Sequence, residues 1–138
     1  MKLATGEERA RTHYIGNVYS KKLLERFLHP SYGGDLEAPD GVGVGGNPTC
    51  GDVVHFAIKV VDGLISDARF RTQGCATAIA ASDAACELVI GSPITLAHTF
   101  GDADLDSMLD GIPDERRSCA AITLGALRAA LHEVSSRR

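Results

Sequence analysis

From Ser20 the apolar positions fall into a helical rhythm. Leu23, Leu24, Phe27 and Leu28 share one face, while Lys21, Lys22, Glu25 and Arg26 take the other. Ser20 supplies an N-cap, and Pro30 stops the run. The period changes after residue 51. Val53–Val61 is mostly apolar and β-branched, and Leu64–Thr72 alternates more loosely through Ile65, Ala68 and Phe70. Asp62-Gly63 between them predicts a tight hairpin, because both turn positions need positive φ. Ala76–Ile90 returns to a helical, alanine-rich pattern that ends at Gly91. Pro93–Phe100 predicts a short helix with Ser92 as its cap. An acidic stretch over 102–111 holds a short helical turn. The last helix starts at Asp114 or later and runs to Val134, with Leu124, Leu127, Leu131 and Val134 as its apolar stripe.

Two stretches lack such a rhythm. Residues 1–18 read as a flexible lead-in. Residues 30–51 read as a loop, with Pro30, Pro39 and Pro48 and a run of glycines from Gly41 to Gly46. A loop of that length inside a domain points to function or disorder. Part of 42–47 adds an edge strand at most, since glycine weakens strands. The order of helix, loop, hairpin and helices predicts an α+β fold. It is a small antiparallel β-sheet of about three strands with helices packed on one face, forming one domain over 19–138.

Composition narrows the function. At 138 residues the chain buries roughly 68–70% of its unfolded surface without staples. Trp is absent and aromatics are few, so the core rests on Ala, Val, Ile and Leu. The net charge of -4 argues against a nucleic-acid or membrane-surface binder. No stretch approaches the ~18 apolar residues of a membrane helix. Met1–Arg11 mixes Glu7, Glu8, Arg9 and Arg11 with no apolar run, unlike a signal peptide. The expected location is the cytoplasm, where four cysteines (Cys50, Cys75, Cys86 and Cys119) suit metal or sulfur chemistry better than disulfides.

Three of them sit at junctions between elements. Cys50 stands at the loop-to-strand boundary, Cys75 between a strand and a helix, and Cys119 in the first turns of the last helix. A helix N-terminus stabilises a thiolate, which favours Cys75, and Cys119 as well with Arg116 and Arg117 adding positive charge. The competing account is that they are small buried hydrophobes. That account suits Cys86, which shares a helix face with Ile79 and Ile90. No C-x-x-C pair is present, so zinc-finger and ferredoxin spacings do not apply. Asp52 is the candidate fourth ligand, because in an extended segment it projects to the same side as Cys50. Its alternative is a turn or cap residue. His13, His29, His55, His98 and His132 adjoin no cysteine and read as surface or helix-end residues. Asp102, Asp104, Asp106 and Asp110 read as a solvated face.

Four collinear segments together resemble the NifU/IscU family. They are YSKKLLERFLHP (Tyr19–Pro30), GNPTCGD (Gly46–Asp52), FRTQGCATAIAAS (Phe70–Ser82) and IPDERRSC (Ile112–Cys119). The resemblance implies a non-enzymatic scaffold on which a transient 2Fe–2S cluster is built. Sulfur arrives from a cysteine desulfurase as persulfide, and the cluster passes to apo iron–sulfur proteins or carriers. Carried over by position, Cys50, Cys75 and Cys119 match the cysteine ligands and Asp52 the family's carboxylate. Cys119 is the candidate persulfide acceptor. Zinc often occupies the same site in family members.

Two departures bear on this. Ser118 stands where the family commonly has a histidine before its last cysteine, which makes Asp52 the deciding ligand. SufU-type relatives also lack that histidine and act as zinc-dependent sulfur acceptors, although the stretch from Cys75 to Cys119 is short for their usual insertion. The segment Ile112–Arg116 does not match the Leu-Pro-Pro-Val-Lys motif that engages an Hsp70-type chaperone, so that partner is in doubt.

Overall fold

The computed structural model describes residues 19–47 and 51–136. Helix α1 spans Lys21–Leu28, and the Leu23 N–H donates to the Ser20 hydroxyl at 3.0 Å, as the capping pattern predicts. That hydroxyl in turn donates to the Leu109 carbonyl. Leu23 is fully buried and Leu24 and Phe27 partly so, but Leu28 is 62% exposed. The apolar face is therefore narrower than its four leucine and phenylalanine positions suggest.

After α1 the chain is fastened by a residue with no distinctive sequence signal. Asp83 is 1% exposed. It accepts the Ser31 and Tyr32 N–H groups at 2.7 and 2.8 Å and the Arg26 guanidinium at 2.9 Å. Three donors satisfy a carboxylate that burial would otherwise penalise. Tyr32 and Gly34 then hydrogen-bond Phe70, sealing one edge of the sheet.

The sheet has the order β1-β2-β3, all antiparallel: β1 Gly41–Asn47, β2 Asp52–Val61 and β3 Leu64–Gln73. β1 corrects the long-loop expectation over 30–51. It is a full seven-residue strand paired from Gly41↔Ile58 to Asn47↔Asp52. Its glycines are the reason it forms here. Gly41, Gly43 and Gly45 alternate on the face towards the last helix. A Cβ at any of them would run into that helix's backbone, at the carbonyls of Ala130, Ala126 and Ile122. The strand lies against the helix because it has no side chains on that face. Val42 and Val44 point the other way and are exposed. The β2–β3 hairpin turns at Asp62 and Gly63, with φ of 53° and 79°, as the dipeptide predicts.

Helix α2, Ala76–Val89, is buried nearly all round: Ala78, Ala80, Ala81, Ala84, Ala85 and Cys86 are each 0% exposed. It packs on β3, α1 and the last helix, and small residues allow that many close neighbours. Cys86 is a core residue, as expected, and burial pushes its thiol pKa well up. Helix α3 is short, Ile94–Ala97, and starts on Pro93 rather than Ser92. The Ser92 hydroxyl instead donates back to the Leu88 carbonyl at 3.3 Å. Helix α4 spans Asp102–Met108. Its acids are more than a solvated face. Asp104 accepts the Gly101 N–H at 2.9 Å, and Asp106 accepts the Ile112 N–H at 3.0 Å and the Arg117 guanidinium at 3.1 Å.

A 3₁₀ turn, Asp114–Arg116, leads into helix α5, Arg117–Ser136. Leu124, Leu127, Leu131 and Val134 are buried against the sheet as their spacing predicts. The helices α2 and α5 thus cover one face of the sheet, which is the expected α+β layer arrangement. Among the described residues no helix is long and apolar enough to cross a membrane.

Candidate metal centre

Three of the four predicted ligands converge. Asp52 opens β2, Cys75 is the N-cap of α2, and Cys119 is the third residue of α5. The sulfurs of Cys75 and Cys119 are 3.2 Å apart, unbonded, and the Cys119 thiol donates to Asp52 Oδ2 at 3.6 Å. One ligand atom from each lies within 4.8 Å of the others. Cys119 is 4% exposed, while Cys75 and Asp52 are half-buried. Cys50 lies outside the described residues.

The local fold explains the convergence. Gly74 directly follows β3, and a Cβ there would collide with Asp52 Oδ1 and stand 3.1 Å from its Cγ. Glycine at 74 leaves room for the carboxylate to turn towards the thiols. A chain of hydroxyls ties the three elements together nearby. Ser82 on α2 donates to the Ala78 carbonyl at 2.7 Å. It meets Thr72 of β3 at 2.9 Å and Thr123 of α5 at 3.3 Å. Thr123 sits one turn beyond Cys119. The cysteines are thus carried on elements fixed to one another by packing and hydrogen bonds.

The donor set fits a thiophilic cation. Tetrahedral zinc, with sulfur at about 2.3 Å and carboxylate oxygen at about 2.1 Å, sets sulfur and oxygen about 3.6 Å apart and two sulfurs about 3.8 Å apart. The Cys119–Asp52 separation already meets that geometry. The two sulfurs need to open by about half an ångström.

The electrostatics correct one expectation. The helix start and the neighbouring arginines do not lower the Cys119 thiol. Burial, the hydrogen bond to Cys75 and the charges of Cys75 and Asp52 push its pKa up to about 12. Desolvation and like-charge crowding outweigh the helix end, so a cation must displace the proton. The two arginines also differ. Arg117 is occupied by Asp106 and Asp114, at 3.1 and 3.4 Å. Arg116 forms no ion pair with a carboxylate among the described residues. Tyr19 and the two thiols together hold the guanidinium pKa above its already high range.

Ser118 is exposed and joins none of these contacts. His29, His55, His98 and His132 are exposed and outside the cluster, and His13 lies outside the described residues. Sequence reasoning missed Gly74, Thr72, Ser82 and Thr123. Only Gly74 carried a signal, as a small residue directly before a candidate ligand.

Residues 18–138 match the model of the NifU-like N terminal domain. The iron–sulfur cluster assembly scaffold protein IscU of Aquifex aeolicus is 40% identical over 117 residues, 83% of this chain and 74% of that protein. The IscU of Escherichia coli K12 is 36% identical over 125 residues, 88% of this chain and 97% of that protein. The crystal structure of a nitrogen-fixing NifU-like protein (N-terminal) from Brucella abortus superposes with a TM-score of 0.73 at 21% identity, covering 90% of this chain and 99% of that one. A SufU structure from Fervidobacterium islandicum gives 0.67 at 21% identity, covering 85% of this chain and 98% of that one. At those identities the structures speak for the fold, and the family model and the IscU relatives speak for descent. The chain belongs to the NifU-like N-terminal domain family.

Proposed function

We propose that this chain is a non-enzymatic scaffold on which a 2Fe–2S cluster is assembled and from which it is passed to apo-proteins. The observation that carries the reading is the convergence of Asp52, Cys75 and Cys119 from three separate elements. Cys50, two positions before Asp52, completes the ligand set. Thiolates suit iron and zinc, while a carboxylate is a harder, weaker partner for a cluster and favours its release. Ser118 brings no imidazole, so Asp52 sets the lability.

Sulfur arrives as a persulfide from a cysteine desulfurase, with Cys119 as acceptor. The setting is the cytoplasm, where thiols stay reduced. An Hsp70-type chaperone is not assigned, because Ile112–Arg116 lacks the matching motif. The relatives named as IscU scaffolds support the role.

The test is anaerobic incubation with ferrous iron, a cysteine desulfurase and cysteine. The expected product is a labile visible chromophore with equal iron and sulfide, lost in Cys75→Ala. An intact wild type that forms no cluster under these conditions overturns the reading.

One observation favours a second reading, a zinc-bound sulfur acceptor that stimulates the desulfurase. The Cys119–Asp52 spacing of 3.6 Å already suits tetrahedral zinc. Metal and sulfide analysis of protein purified without air separates the two. Stoichiometric zinc without sulfide supports the second, and iron with equal sulfide supports the first.

A further inference from the structure

Asp52, Cys75 and Cys119 ride on β2, α2 and α5, and one buried hydroxyl joins the elements behind them. Ser82 on α2 and Thr123 on α5 are both fully buried. Ser82 Oγ lies 2.7 Å from the Ala78 carbonyl, 2.9 Å from Thr72 Oγ1 and 3.3 Å from Thr123 Oγ1. A carbonyl has no proton to give, so the Ser82 proton goes to Ala78. Both threonines must then donate to Ser82, whose oxygen has two lone pairs for them. The direction of every hydrogen bond in the group is thus fixed, and Ser82 is the acceptor the two threonines share. Thr123 stands four positions after Cys119 and shares its face of α5, about 6 Å along the helix axis. Ser82 stands seven positions after Cys75 and shares its side of α2. Thr72 is the cross-strand partner of Val54, two positions after Asp52 in β2.

Resting on the reading of Asp52, Cys75 and Cys119 as metal ligands, we propose that Ser82 is a positioning residue that sets how closely Cys119 approaches Cys75. Inside a helix, the other partner open to a threonine hydroxyl is the carbonyl four residues back, and that bond bends the helix. For Thr123 the carbonyl four back is that of Cys119. Ser82 draws the Thr123 proton away from it and ties α5 to the helix that starts at Cys75. Without the Ser82 oxygen, Thr123 turns back on the Cys119 carbonyl. The tie between the helices is lost, and α5 bends where it carries its ligand. The free sulfurs, 3.2 Å apart, need to open by only about half an ångström around zinc. A shift of that size between two helices is therefore felt as metal affinity.

The experiment titrates cobalt(II) into the reduced full chain without air, comparing wild type, Ser82→Ala, Thr123→Val and Val89→Ala. Val89 is fully buried at the far end of α2, so its variant controls for lost stability, which urea denaturation measures in each chain. Thr123→Val keeps the side-chain shape and carries the test if Ser82→Ala does not fold. The sulfur-to-cobalt charge-transfer band reports the bound thiolates. A second arm uses no metal. The share of Cys75–Cys119 disulfide in a glutathione redox buffer, identified by peptide mass spectrometry, gives the effective concentration of one thiol for the other. Ser82→Ala and Thr123→Val are expected to weaken cobalt binding about tenfold, as when an outer support of a metal site is lost. The effective concentration should fall by a similar factor. Val89→Ala should lose stability and keep both values. Wild-type values in Ser82→Ala and Thr123→Val overturn the proposal. Equal losses in Val89→Ala overturn it too, since lost stability then accounts for them. If wild type binds no cobalt, the ligand reading falls and the disulfide arm decides on Ser82. A drop confined to Ser82→Ala and Thr123→Val upholds the spacing role, and an unchanged value overturns it.

Discussion

β1 and β3 lie on either side of β2, each leading the chain towards the cysteine cluster, and they meet their helices in different ways. β3 turns Ile65, Ala68 and Phe70 inward and fills the space to α2 with side chains. β1 turns Gly41, Gly43 and Gly45 inward and leaves no space, so α5 rests on the strand backbone itself. One contact is made by bulk and the other by its absence. Both fix the same distance scale, because α5 and α2 must stay in register for Cys119 to reach Cys75.

That difference predicts opposite sensitivities. Phe70→Ala removes a ring that is 4% exposed and should cost about 3–5 kcal/mol by cavity formation. Gly43→Ala adds one methyl group. It meets the Ala126 carbonyl and stands 2.8 Å from the Ala129 Cβ, so strand and helix must part. The expected cost is about 3 kcal/mol or more, at the upper end for overpacking. Urea denaturation followed by circular dichroism measures both. A Gly43→Ala chain as stable as wild type would break the comparison.

The next effect tests how the segment before β1 is held. Asp83→Asn keeps an oxygen for the Ser31 and Tyr32 N–H groups but leaves the Arg26 guanidinium, 19% exposed, without its buried charge. Breaking a buried pair from one side should cost about 3 kcal/mol. Glu87, also 2.9 Å from Arg26, trims that figure. The same denaturation series reads it, and a change under about 0.5 kcal/mol would mean the pair is solvated.

A smaller effect separates site from fold. Gly74→Ala adds a methyl group against Asp52 Oδ1 at the end of β3, away from the main core. Stability should shift by about 1 kcal/mol or less. Zinc affinity should fall about tenfold, as when an outer support of a metal ligand is lost. Competition with a chelator measures it. Unchanged affinity would show that Asp52 is not held by this contact.

The two strands also explain what was legible in the sequence. Wherever packing is made by side chains, the pattern could be read. The β2–β3 hairpin, the Leu124–Val134 stripe and the cap at Ser20 follow from residue types at fixed spacings. Where packing is made by missing side chains, it could not. Gly41–Gly46 looks the same whether it is a loop or a strand pressed on a helix, because the helix that needs the glycines lies some eighty residues later in the chain. The cysteines were legible as chemistry through their junction positions and the family resemblance. The rise of the Cys119 pKa was not, since burial and the nearness of Cys75 are properties of the folded site.

The finest test of β1 is its alternation, residue by residue. Val42 and Val44 are 42% and 56% exposed, and Val44 lies in one row with His55 and Arg71 on the outer face. Val42→Thr and Val44→Thr keep the β-branch and lose little burial, so each should change stability by less than about 0.5 kcal/mol. Gly45, one position on, would place a Cβ 2.9 Å from the Ala126 nitrogen and against the Ile122 carbonyl. Gly41→Ala would press on Val134 at 2.7 Å. A stability profile over positions 41 to 45 should therefore alternate between damage and tolerance with period two. A flexible loop would give a flat profile, because none of its positions meets a helix. The small effects at Val42 and Val44 thus carry as much weight as the large ones at the glycines, for only the contrast between neighbours shows that the strand has a helix side.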